Sequence, residues 1–291
     1  MGRQTTIERS CCLKGVGVHL GRECTLTFNP APVDSGIVFQ RLDLPGQPVI
    51  RAHIANVDSS LRCTRISAGP ASVSTVEHVM AALFGVGVDN CHLTIDGPEV
   101  PIIDGSAAEF TRGLKQAGIV EQTEPRRCIA LREPVWVSDG GRYMVALPSS
   151  EGLRISFTFT NDRGHVALSD QFAEFLLDPD IFEQEIAPAR TMGWLAEVEA
   201  LRKRGLIKGG SIDIAVVIGE DSILTPLRYP NELVRHKILD TVGDLALVGR
   251  LQAHVICIRS GHRLNAMLGR AISQTASTEE SCVLIASRGS N

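Results

Sequence analysis

One order of elements occurs twice along the chain: strand-like segments, a long amphipathic helix, glycine, a single strand and a further helix. In the first half, residues 23–28 and 36–40 alternate as strands, separated by a turn-rich stretch. A helix opens near Ser74 and places Val76, Val79, Met80 and Leu83 on one face before Gly85 and Gly87. Residues 91–96 then alternate as a strand, 97–105 form an extended loop rich in proline, and 107–117 form a second helix. In the second half, strands are expected at 129–137, 143–147 and 155–159, helices at 171–177 and 194–204, and a strand at 212–218. A strong amphipathic helix over about 231–248 follows, then a strand at 254–258 and a helix from about Arg263. This grammar predicts an α+β chain of two similarly built domains, each packing helices on a sheet. The polar stretch 121–127 is the expected linker, which sets domains at 1–122 and 127–275 and a tail at 276–291.

Length and charge fit that division. The 291 residues suffice for two cores at roughly 100–200 residues per domain. With 29 Lys+Arg against 33 Asp+Glu, there is no general basic field for a polyanion. Arg202, Lys203 and Arg204 form the one obvious basic cluster, and no nucleic-acid partner is expected. No run approaches the ~18 apolar residues of a membrane span, and the first residues lack the apolar core of a secretion signal. The expectation is a soluble, cytoplasmic protein without stable membrane insertion. Eight cysteines contain no C-x-x-C pair, and reduced thiols packed as small hydrophobes are expected rather than disulfides or a cysteine metal site.

Three constellations could carry chemistry. His236, Asp240 and Asp244 fall at i, i+4 and i+8 on one stripe of the long helix, while Val234, Ile238, Val242 and Leu245 form another. An imidazole and a carboxylate one turn apart can hold one divalent ion, and such donors suit zinc with an open position. A solvated His–Asp pair on a surface helix would explain the same spacing. Ser74 and Glu77 have the spacing of a capping box, and His78 beside them would be kept neutral by the helix N-terminus and able to ligate metal. A carboxylate next to a ligand can serve as general base for water. His262, between an expected strand and helix, could act as general acid or oxyanion stabiliser with Asp244 orienting it, or be ordinary surface.

Nine segments in order carry a resemblance. They are Gly15-Val-Gly-Val-His19, Arg62-Cys-Thr64, Thr75-Val-Glu-His-Val-Met-Ala-Ala-Leu83, Asp89-Asn90, Gly97-Pro-Glu-Val-Pro-Ile-Ile-Asp-Gly-Ser106, Ala189-Arg-Thr191, Val234-Arg-His-Lys-Ile-Leu-Asp240, Gly243-Asp-Leu245 and Ser260-Gly-His262. Together, over about residues 3–270, the chain resembles the zinc-dependent UDP-3-O-acyl-N-acetylglucosamine deacetylases of lipid A biosynthesis. Each segment alone is weak, and nine in register are specific.

The resemblance implies hydrolysis of the N-acetyl group of an acylated UDP-N-acetylglucosamine, releasing acetate, by a monomer holding one Zn2+. It places the zinc ligands at His78, His236 and Asp240 and the general base at Glu77. It further implies that His262, backed by Asp244, stabilises the oxyanion and protonates the leaving amine, that Thr191 helps bind the oxyanion, and that Lys237 meets the substrate diphosphate. His19, Cys63 and Met192 fall near the substrate. The implied fold has two helices and a small insert per domain, with the active site at the domain interface and an acyl passage from about 186–210, including Met192, Trp194, Leu195 and Leu206. Two departures concern substrate contacts: Met192 stands where an aromatic is usual, and 158–165 matches poorly. A non-catalytic binder of a nucleotide sugar or lipid, and a hydrolase of another acetylated sugar nucleotide, are the competing readings. The intact Glu77 speaks against the first.

Overall fold

In a computed structural model the chain is described over residues 2–203, 214–275 and 277–279, and its side chains over 2–199 and 214–275. Arg204, Leu206, residue 212 and most of the expected tail lie outside what is described, as do the side chains of Arg202 and Lys203.

The first half builds a sheet from β1 (Cys11–Val16), β2 (Glu23–Pro30), β3 (Ile37–Arg41), β4 (Val49–Arg51) and β5 (Cys91–Ile95). Its spatial order is β1-β2-β5-β3-β4. Helix α1 (Glu77–Val86) precedes β5, and α2 (Ala108–Ala117) follows it. The second half uses β6 (Val135–Asp139), β7 (Arg142–Pro148), β8 (Leu153–Phe159), β9 (Gln171–Leu176) and β10 (Leu251–Ile258). Their order is β6-β7-β10-β8-β9, with α3 (Glu232–Ala246) before β10 and α4 (His262–Thr275) after it. Both sheets run antiparallel, antiparallel, parallel, antiparallel across their five strands. The two halves therefore share one topology, an α+β design written twice. The parallel pair in each half needs a long crossover, and α1 and α3 lie on those crossovers.

Alternation sets the faces of the strands. Leu26 and Phe28 of β2, and Ala253, Val255 and Cys257 of β10, are buried at every second position. Helix α1 is buried almost all round, as the apolar run from Val79 to Val86 requires, and packs along α3. A Cβ on Gly243 of α3 would lie 1.9 Å from the Glu77 carbonyl oxygen, so the two backbones meet where only glycine fits. At its other end α1 stops at Gly87 (φ 89°), whose N–H caps the Leu83 and Phe84 carbonyls.

Several expectations are corrected. Residues 171–177, read as a helix, supply strand β9, paired antiparallel to β8 from Arg154↔Leu176 to Phe159↔Gln171. Ala173 is buried and Phe172 is 62% exposed, a two-residue period that sheet pairing imposes on a segment whose apolar spacing also fits a helix. The expected linker lies largely in a strand, Ile119–Pro125, paired with Arg3–Ile7, and Arg126 is buried on the Asp89 carboxylate at 2.7 Å. Arg250 reaches the other Asp89 oxygen at 2.9 Å, so one aspartate ties the ends of α1, the crossing strand and β10. The single strand expected at 129–137 is two, Cys128–Ala130 and Val135–Asp139, with Pro134 in the gap. Cys128 is disulfide-bonded, against the expectation of reduced thiols throughout; Cys11, Cys12, Cys24, Cys63, Cys91 and Cys257 are free.

Candidate metal centre and its pocket

The packing of α1 on α3 brings together side chains about 160 residues apart. Helix α1 begins with Glu77 and His78 after Thr75 turns into the left-handed region (φ 61°) and Val76 enters the helix. Among the described residues no side chain caps this end, so the expected capping box between Ser74 and Glu77 does not form. The Glu77 carboxylate instead accepts the Thr64 N–H at 3.0 Å. On α3, one turn separates His236 from Asp240, and the pair is buried against α1 rather than solvated. His236 Nε2 lies 3.3 Å and His78 Nε2 3.8 Å from Asp240 Oδ1, with the two imidazoles edge to face. These three residues can offer one atom each within 4.8 Å of one another, the compass of a single ion.

The donor set suits a divalent cation of zinc's class. His236 Nδ1 is hydrogen-bonded to the Ala189 carbonyl at 3.1 Å, which holds the ring so that Nε2 faces Asp240. His78 Nδ1 is a buried nitrogen with no hydrogen-bond partner among the described residues. Burial, reinforced by His236, pushes His78 down to about 3, and burial also lowers His236, so both rings are neutral. Burial works to raise Asp240, but His236, Lys237, His262 and His78 outweigh it and hold the carboxyl far below its usual range. Two neutral imidazoles and an ionised carboxylate are the form in which these groups bind metal.

His262, the first residue of α4, completes the cluster. Its Nδ1 meets Asp244 Oδ2 at 2.9 Å, while Nε2 lies 3.8 Å from Glu77 Oε1 and 3.9 Å from Asp240 Oδ2. Burial opposes the charge on His262, but Asp244, Asp240 and Glu77 override it and raise the imidazole to about 10. Burial, with Asp244 and Asp240 adding to it against His262, lifts Glu77 to about 8, within range of a carboxylate that both takes and gives a proton. The cluster opens into a cavity of about 840 Å3.

Residues 4–274 match the model of the UDP-3-O-acyl N-acetylglycosamine deacetylase family. The chain belongs to this family. A UDP-3-O-acyl-N-acetylglucosamine deacetylase of Citrifermentans bemidjiense is 45% identical over 265 residues, spanning 90% of this chain and 86% of that protein. The Nostoc sp. protein of the same name is 41% identical over 277 residues, 93% of this chain and 98% of its own. That of Bdellovibrio bacteriovorus is 40% identical over 272 residues, 92% of this chain and 89% of its own. No helix among the described residues is long and apolar enough to cross a membrane.

In this member of the deacetylase family, His19, Cys63, Glu77, His78, Thr191, Met192, His236, Lys237, Asp240 and His262 all line the one cavity. Asp244 stands behind His262 and does not line it. The Lys237 ammonium donates to Asp240 Oδ2 at 2.8 Å, so it is engaged at the His78, His236 and Asp240 cluster. Burial pushes the Cys63 thiol up to about 12. Met192, Trp194 and Leu195 of the expected acyl passage form one wall with Val198 and Val217. The poorly matching 158–165 segment reaches the same wall, where Arg163 stacks on Trp194 at 4.4 Å and pairs with Glu197. Three supporting residues carry no recognisable spacing in the sequence. Thr64 gives its N–H to Glu77 and its hydroxyl to Asp244, and Asn265 Nδ2 gives Asp244 a further donor at 2.8 Å. Glu232, fully buried in the first turn of α3, receives Arg190 through Nε at 2.9 Å and its backbone N–H at 3.0 Å, next to Thr191.

Proposed function

We propose that the chain is a cytoplasmic, zinc-dependent hydrolase that removes the N-acetyl group of UDP-3-O-[(3R)-3-hydroxyacyl]-N-acetylglucosamine, an early committed step of lipid A biosynthesis. The observation that carries this reading is the convergence of His78, His236 and Asp240 beside Glu77 at the base of a large pocket, in a chain of the deacetylase family. His78, His236 and Asp240 would hold one zinc per chain, which would supply Lewis acidity and lower the pKa of water toward neutrality. Glu77 takes the proton of the water that adds to the acetyl carbonyl. The protonated His262, held by Asp244, faces the developing oxyanion and then gives its proton to the nitrogen as the C–N bond breaks. Acetate and the free amine result. The Thr191 hydroxyl adds a donor to the oxyanion, and Lys237 serves the diphosphate as a point charge once substrate competes for it. His19, Cys63 and Met192 contact substrate, and the wall from Met192 to Val217 takes the acyl chain. In this reading the domains are 1–122, carrying Glu77 and His78, and 127–275, carrying the other ligands and His262, and the protein acts as a monomer.

Acetate release from the acylated UDP-N-acetylglucosamine, with metal analysis, tests the scheme. Glu77→Gln is expected to keep about one zinc per chain while turnover falls by ~10²–10⁴. His78→Ala and Asp240→Ala are expected to lose the metal. Near-normal turnover by Glu77→Gln, or full zinc in either ligand variant, would overturn the assignment.

A further inference from the structure

Glu99, in the loop between β5 and α2, is 2% exposed and takes no part in the chemistry above. Its Oε1 accepts the backbone N–H of His19 at 2.9 Å and the Thr75 hydroxyl at 3.2 Å, and its Oε2 accepts the N–H of Leu20 at 2.9 Å. A buried carboxylate is costly, and three donors aimed at it are what make the charge tolerable. Two of those donors belong to the loop that puts His19 on the cavity wall, and the third belongs to the strained turn immediately before Glu77 and His78. The loop also lies so close that a Cβ on Gly17 would fall 2.4 Å from Glu99 Oε2. His19 itself sits within electrostatic reach of Glu99, Arg62 and His262, on the wall that the reacting groups share.

We propose that Glu99 is a positioning residue of the deacetylation site: by holding the His19 and Leu20 N–H groups and the Thr75 hydroxyl, it fixes His19 on the pocket wall as a substrate contact. This rests on the deacetylase reading of the pocket. A glutamine at 99 has one acceptor oxygen and turns its amide N–H₂ toward a backbone donor, so the loop loses at least one of its two anchors without loss of volume. His19 then samples positions off the productive geometry, and a displacement of the order of 1 Å is enough to cost up to about a hundredfold in rate.

The test combines kinetics with amide hydrogen exchange on the full-length, zinc-loaded protein. Glu99→Gln and His19→Ala are each expected to lower kcat/KM by about ten- to a hundredfold with zinc content unchanged, and the double variant is expected to be no slower than the slower single one. In Glu99→Gln the His19 or Leu20 amide is expected to exchange at least about tenfold faster than in the wild type. Gly17→Ala, which displaces the carboxylate while keeping it charged, is expected to give the same two effects, and it carries the test should Glu99→Gln fail to fold. Losses that multiply in the double variant, or unchanged exchange at both amides, would overturn the proposal. A wild-type chain that releases no acetate would overturn the deacetylase reading instead. The exchange measurement needs no substrate, so the two failures are told apart.

Discussion

Thr64 holds two acids with two different donors, and each donor does a separate job. Its N–H meets Glu77 at 3.0 Å, and its hydroxyl meets the Asp244 oxygen opposite the one that faces His262. Thr64→Val keeps the first bond and removes the second, leaving a buried carboxylate oxygen one donor short. The expected cost is about 1–3 kcal/mol of stability in urea unfolding, with slower turnover and unchanged zinc content. Wild-type stability and turnover in that variant would show that the hydroxyl is not needed. The segment Arg62-Cys-Thr64 is visible in the sequence, but Thr64 lies 180 residues from Asp244, and no spacing rule reaches across that distance. Histidines and acids one helical turn apart were legible because helix geometry alone makes them neighbours. Their polar partners were not, because chain folding makes those neighbours.

At the scale of elements, the crossing of α1 and α3 sets the site. Gly243 carries no functional group, yet a methyl there would press on the Glu77 carbonyl at 1.9 Å, and backbone cannot yield as a side chain can. Gly243→Ala is expected to force the helices apart, costing about 1–3 kcal/mol or more, and to lower bound zinc and activity together. Thermal unfolding and metal analysis check this; normal zinc with lowered stability would mean that the ligands tolerate the shift. Both helices were expected from their apolar spacing, within a few residues of their observed ends. The misreadings lie where two patterns coincide. Residues 171–177 satisfy a helical count but join a sheet edge, and Ser74 with Glu77 matches a capping box although the carboxylate has a better donor in Thr64. A local rule states what a segment can do alone, and a neighbouring strand or a buried N–H offers it something stronger.

Across the whole molecule, charges buried between distant segments hold the halves to the site. Glu232 anchors Arg190, and through it the segment that bears Thr191, to the start of α3. Burial works to raise its carboxyl, but the Arg190 side chain and the N–H groups of Arg190 and Arg228 outweigh this and hold it below the usual 4.5. The unfolded chain therefore takes up this proton at a higher pH than the folded one does. The stability Glu232 confers is present above about pH 4.5 and is lost as pH falls through the folded-state value below that. Glu232→Gln is expected to be less stable than wild type near neutrality and to converge on it in acid; parallel curves of unfolding temperature against pH would exclude this role.

The sequence by itself determined the repeated order of strands and helices, the His236–Asp240 pair one turn apart on α3, and the family, because periodicity, helical spacing and ordered motifs are all properties of the linear chain. Only the tertiary structure decided that His78 meets His236 and Asp240, that Glu77 turns to Thr64 rather than to its own helix end, and that Glu99 is shared by two loops. Those contacts depend on how closely two backbones approach and on which buried donors find which acceptors, and both are settled when the halves pack.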